Sequence, residues 1–153
     1  MSNPPEPYFP LEPEYLVGID VLDRQHKEIV DLLNELYGAI VAKKPIDLNL
    51  ELLTRFLKAA KTHFATEEQV LRARSCPDQV RHKAAHEGLA SGLSELRGQI
   101  ARRKRELTIE YVELMKLWLI DHFVEFDSGY AKFLGSKNDP AKKDTNAERD
   151  TNP

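Results

Sequence analysis

A chain of 153 residues with a 41% hydrophobic and a 31% charged share has the size of one domain that buries its own core, and this balance sets aside the disordered and membrane-embedded classes. The net charge of -3 withholds the basic footprint on which nucleic-acid binding depends. A single cysteine, Cys76, excludes an intrachain disulfide and every zinc pattern built on paired thiolates.

In chain order, MSNPPEPYFP has neither a basic start nor an apolar core, so it reads as no secretory signal, and a cytoplasmic protein is expected. Pro4, Pro5, Pro7, Pro10 and Pro13 make residues 1–16 a proline-rich arm that cannot be helical throughout. Asp20 is placed to cap a first helix with Val21, Leu22, Ile29, Leu32, Leu33, Leu36 and Ile40 on one stripe, ending near Lys44-Pro45. Asp47 or Asn49 can open a second, whose apolar positions Leu52, Leu53, Phe56, Leu57, Ala60, Phe64 and Leu71 hold the helical period until Ser75-Cys76-Pro77. Pro77 and Asp78 suit the start of a third, carrying Val80, Ala84, Leu89, Leu93, Leu96 and Ile100. The basic run ARRKR at 101–105 then reads as a solvated helix terminus. Thr108 can cap a fourth, running from Ile109 through Trp118 to Leu134 with Gly135 as its stop.

The run LMKLWLI at 114–120 is too short to span a bilayer, so no membrane insertion is expected. No stretch keeps a strand period. Residues 17–135 therefore predict an all-α, up-down-up-down four-helix bundle, and residues 136–153, almost devoid of apolar side chains, predict a disordered polar tail.

The histidines carry the chemistry. His82 and His86 in RHKAAHE stand four apart, so both imidazoles leave one helical face, one turn apart, where two nitrogens can share a metal ion. His26, His63 and His122 fall one on each of the other helices, with Glu67 four after His63 and Asp127 five after His122. Five buried histidines satisfied by hydrogen bonds alone would account for neither this spread nor the carboxylates. Carboxylates inside a bundle stay protonated or find a cation. Seven donors exceed one tetrahedral zinc and suit two six-coordinate ions with carboxylate bridges, in a nitrogen and oxygen shell that favours iron or manganese. The step to Asp127 leaves it roughly 140° from His122 on an ideal helix. Either the two donors approach from different sides, or a π-type turn draws them together.

Taken in order, DRQHKEI, HFATEE, HKAAH and HFVEFD, with VGIDVLDRQH at 17–26 before them and DSGY after the last donor, resemble the hemerythrin family, its bacterial members in particular, over roughly residues 8–134. The resemblance implies two iron ions, ferrous or ferric, with an oxo or hydroxo bridge. His82, His86 and His122 would complete one iron, His26 and His63 would hold the other with an open position, and Glu67 and Asp127 would bridge. Ile29, Phe64, Trp118, Leu119 and Phe123 match positions that line the family's O2 pocket, and on bundle helices they are equally expected as core. Bacterial members carry a tryptophan six residues before the VGI segment. Leu11 stands there in this chain, with Phe9 nearby to serve as the anchor, while Phe123 is bulkier than the aliphatic residue usual beside the last histidine and Glu125 adds a charge.

Function by resemblance is reversible O2 binding for transport, storage or delivery, with no substrate consumed and an oxygen-consuming protein or a reductase as partner. A sensor of oxygen or redox state, or a di-iron oxidase or NO-handling enzyme, is the alternative. Ferritin-like di-iron enzymes use more carboxylates and a Glu-x-x-His pattern, whereas this chain presents a histidine pair.

Overall fold

The computed structural model describes residues 6–127, with side chains through Val124. A 3-10 turn at Pro13–Tyr15 leads into α1 (Asp20–Val41), α2 (Ile46–Ala73), α3 (Gln79–Ala101) and α4 (Ile109–Asp121), and α4 passes directly into a π-helix over His122–Asp127. The described residues hold no strand. Short connections turn each helix back on its predecessor, so α1 packs on α2, α2 on α3, and α4 closes the bundle against α1. The expected end of the fourth helix at Leu134 and the tail at 136–153 lie outside the described residues.

The first three helices end alike. In each, a non-glycine residue with left-handed backbone (Lys43, Ser75, Arg103) follows the C-cap. The N–H of that residue and of the one after it turn back onto the last carbonyls, the second of them as Lys44 to Ala39 at 2.9 Å, Cys76 to Leu71 at 3.0 Å and Lys104 to Gln99 at 2.9 Å. This is the Schellman closure. The helix starts are less like their sequence signals. Asp20 is the first helical residue rather than the cap, and Pro45, not Asp47 or Asn49, precedes α2. Asp23 instead reaches back from inside α1 to accept the N–H groups of Val17 at 2.8 Å and Gly18 at 3.1 Å. Gly18 has a φ of 83°, which only glycine adopts cheaply. Thr108 does occupy the cap position of α4.

Leu33, Leu36, Leu53, Phe56, Ile100, Val112 and Met115 are fully buried at the centre of one continuous core. Two expected core positions on α3 are corrected: Val80 is 86% exposed and Ala84 is also exposed. At that end of α3 the buried stripe runs through His82 and His86, and a position two residues away points to nearly the opposite side of a helix. Val21 is likewise exposed, while Leu22 beside it is buried.

The arm belongs to the core. Phe9 is 1% exposed, its N–H donates to Asn34 Oδ1 at 2.7 Å, and Asn34 Nδ2 donates back to the Phe9 carbonyl at 2.9 Å. Tyr8 stacks on Tyr37 with ring centroids 3.8 Å apart, and Lys116 Nζ sits 4.3 Å from the Tyr8 ring while donating to the Tyr8 carbonyl. Phe9 is thus the anchor. It fixes the path of the chain into Tyr15, whose ring meets Phe9 edge-on.

Gly88 lies in the middle of α3 on its exposed side, and a methyl group there would meet open space. Gly88→Ala is expected to stabilise the fold by about 0.5–1 kcal/mol by removing backbone freedom from the unfolded chain. A thermal melt should move up by roughly 2–4 °C; an unchanged or lower midpoint would mean that this position needs glycine for a reason other than space.

Candidate metal centre

All five histidines and Glu67 converge at one level of the bundle, and each is at most 3% exposed. Each helix contributes because His26, His63, His82, His86 and His122 occupy the inward stripe where apolar residues sit elsewhere on the same helices. Glu67 is at the centre. Its Oε1 pairs with His82 Nε2 at very short range and lies 3.2 Å from His86 Nε2, while its Oε2 lies 3.1 Å from His63 Nε2 and 3.8 Å from His122 Nε2. His26 Nε2 approaches His63 Nε2 to 3.2 Å.

These donors form two overlapping groups, His26 with His63 and Glu67, and Glu67 with His86 and His122. Within each group one donor atom per residue lies within 4.8 Å of the others. Glu67 is common to both, and His82 joins through the same carboxylate. The π-helix resolves the five-residue step on the backbone side. Its i→i+5 bonding puts position 127 one π turn beyond His122. The Asp127 side chain, like that of Glu125, lies outside the described residues.

The chemistry of the donor set fits a metal. Burial holds His122 well below the ordinary imidazole value, against the pull of Glu67 and with the push of His63, His86 and His82, so its ring is neutral at neutral pH. His26 Nδ1 lies 2.8 Å from the Tyr15 carbonyl. A carbonyl only accepts, so Nδ1 carries a proton, and in the neutral tautomer this favours it is Nε2 that turns its lone pair to the cluster. One carboxylate ringed by imidazole nitrogens in a dry interior is a poor resting arrangement for protein alone and a good one around a cation, because the cation meets every lone pair at once. Among the described residues the set is five imidazoles and a carboxylate with no sulfur, which suits iron, manganese or zinc rather than a soft metal.

Aromatic rings wall the cluster. Phe64 stacks on His86 at 4.1 Å between centroids and meets His122 edge-on, and Phe123 packs against His26 at 4.4 Å. Phe64, Trp118 and Leu119 line a narrow apolar crevice with Leu89, Leu93 and Met115, whose free volume is about 10 Å3, roughly one water-sized sphere. Ile29 and Phe123, also expected at the pocket, are both buried, and Phe123 lies toward the arm, against Tyr15. Three contributors escaped the sequence reading. The Tyr15 carbonyl leaves no residue-type signal. Gln25, whose Oε1 lies 3.2 Å from His63 Nδ1, stands beside His26 in sequence but acts across to α2. Glu68 follows Glu67 and lies 3.8 Å from His86 Nδ1, beyond hydrogen-bond range.

The chain is similar to known proteins in sequence and in fold. The family described as hemerythrin HHE cation binding domain matches residues 17–134. A bacteriohemerythrin of Aquifex aeolicus (strain VF5) is 30% identical over 121 residues, covering 78% of this chain and 92% of that protein. One of Pseudomonas aeruginosa (strain LESB58) is 30% identical over 113 residues, covering 74% and 72%. The fold is similar to a crystal structure of wild-type hemerythrin with a TM-score of 0.72, 23% identity and coverage of 76% of this chain and 88% of that one. A leucine-to-tyrosine variant gives a TM-score of 0.78 at 20% identity, covering 83% and 97%.

Proposed function

Because the chain belongs to the hemerythrin family, we propose that it binds O2 reversibly at a carboxylate-bridged pair of iron ions and serves O2 transport, storage or delivery. The observation that carries this reading is the sharing of Glu67 by two overlapping groups of buried donors. On this proposal His82, His86 and His122 would hold one ion, His26 and His63 would hold the other, and Glu67 and Asp127 would serve both. A ferrous pair so held supplies the two electrons that reversible O2 binding draws on.

The protein's own residues do the rest. Glu67, at most a few ångströms from four ring nitrogens, offsets the positive charge that five neutral imidazoles cannot. The Tyr15 carbonyl keeps His26 turned so that Nε2 faces inward. Phe64, Trp118, Leu119 and Phe123 keep water and stray protons from the site, which is what separates holding O2 from consuming it. We place the protein in the cytoplasm, acting without turnover, with an oxygen-consuming protein or a reductase as partner. Among the described residues no helix is long and apolar enough to cross a membrane, and one cysteine in the chain accords with a reducing compartment.

The test is an optical spectrum of the anaerobically reduced protein, taken again after air is admitted and again after O2 is removed. A band that appears and then disappears supports reversible binding. Steady O2 consumption in the presence of a reductant would move the protein to the oxidase class.

Leu119 lies three residues before His122, one turn away, and is 7% exposed on the crevice wall. Leu119→Ala opens apolar volume beside the donors, where water gains entry once polar partners are at hand. The variant should keep its iron and its oxygenated spectrum but pass to the ferric state several-fold faster, on the order of tenfold at most. An unchanged autoxidation rate would show that Leu119 guards nothing.

A further inference from the structure

A chain of hydrogen bonds reaches from the backbone of α2 to Nδ1 of His63, the ring nitrogen opposite the one that faces the cluster, and its donors and acceptors give it a direction. Thr66 Oγ1 lies 2.9 Å from the Thr62 carbonyl. A carbonyl has no proton to give, so the single hydroxyl proton of Thr66 is spent there. Gln25 Nε2 lies 3.0 Å from the same Thr66 oxygen, which can now only accept, so the amide of Gln25 must turn its NH2 toward Thr66. Its carbonyl Oε1 is thereby aimed at His63 Nδ1, 3.2 Å away. Nδ1 must then carry the ring proton, and in a neutral imidazole Nε2 is left bare.

His26 reaches the same state by another route, through the Tyr15 carbonyl. The two Nε2 atoms lie 3.2 Å apart, with Glu67 Oε2 3.1 Å from that of His63, so both belong to the group of donors in which a cation would sit. We propose that Gln25 and Thr66 are positioning residues for the metal position formed by His26 and His63: a relay from Thr62 through Thr66 and Gln25 locks His63 in the tautomer that offers Nε2 to the metal. The inference rests on the metal-binding reading above and adds to it which residues outside the donor set decide whether this position is ready to bind.

Proton direction distinguishes the relay from ordinary packing. If Thr66 did not spend its proton on Thr62, Gln25 could flip, present NH2 to His63 Nδ1 and force the proton onto Nε2, where it blocks the metal. Gln25 is half-buried and Thr66 likewise, so both can be changed without opening the core.

The test pairs two readouts on the full chain, Gln25→Leu, Thr66→Val and Gln25→Glu. In metal-free protein labelled with 15N-histidine, the parent should show His63 protonated at Nδ1, whereas Gln25→Leu should show a mixture of tautomers and Thr66→Val a smaller shift the same way. In iron-loaded protein, release of iron to a ferrous chelator should become about tenfold faster for a fraction of the iron in Gln25→Leu, the scale on which outer partners affect metal affinity. Gln25→Glu, which keeps an acceptor in place, should restore slow release, a rescue that a packing role would not produce. A single Nδ1–H tautomer retained in Gln25→Leu would overturn the relay. A parent that takes up no iron would overturn the metal assignment instead, and the tautomer comparison would still decide the relay.

Discussion

Glu67→Gln is expected to leave the protein with less than one iron per chain where the parent is expected to hold two. The substitution keeps the shape of the side chain, so the core does not collapse, but it removes the one anion that both groups of donors share. The loss is therefore larger than that of any single imidazole. His86→Ala removes a donor from one group only and should leave the position of His26 and His63 able to hold its ion. Glu68→Gln, whose carboxylate is 3.8 Å from His86, should retain both. Metal analysis of these variants after iron-supplemented expression reads out the pattern. Two irons retained in Glu67→Gln would mean that Glu67 does not bridge, and one zinc per chain in the parent would mean that the centre is not di-iron.

Removing the metal should cost much of the fold's stability. Metal that binds the folded chain and not the unfolded one adds about 4 kcal/mol at a thousandfold excess over its dissociation constant, or roughly 10 °C in melting temperature for a domain of this size. The chelated protein should then be acid-sensitive for a reason set in the site. In the folded chain burial holds His122 well below the ordinary imidazole value, while in the unfolded chain it titrates at about 6.5. Above that pH neither state binds the proton and this group leaves stability unchanged. Below it the unfolded chain binds a proton that the folded chain refuses, so stability falls as the pH falls toward the folded value. Urea unfolding of metal-free protein at pH 7.5 and pH 5.5 should show the lower midpoint at pH 5.5. Loaded protein should lose iron over the same range, because protons and metal compete for the same nitrogens. A metal-free protein as stable as the loaded one at pH 7.5 would remove the metal from the fold's support.

The arm alters how an N-terminal truncation should be read. Phe9 and Asn34 exchange both of their backbone-facing hydrogen bonds, and the segment so fixed delivers the Tyr15 carbonyl to His26. A proline-rich stretch that looks peripheral by composition is in this chain part of the metal centre's support.

By itself the sequence determined the helices, their number among the described residues, and the inward placement of His26, His63, His82, His86 and His122, because hydrophobic period and turn chemistry are local properties repeated along each segment. It also marked the five-residue step after His122 as needing either a π-type turn or two directions of approach. Only the tertiary structure decided for the π-helix, which packs against the 3-10 turn at Pro13–Tyr15, a neighbour that the fold alone brings there. Where the periodic signal met the site it misled: Val80 and Ala84 fit an apolar stripe, yet the buried side of α3 at that end is taken by histidines. The proton states could not be read from the chain at all. Whether His63 offers a lone pair or an N–H depends on Gln25 and Thr66, which lie on different helices, and on a backbone carbonyl that carries no residue identity. Such hydrogen bonds exist only once the helices are docked, and so the chain names the donors while the packed fold decides that they are ready to bind.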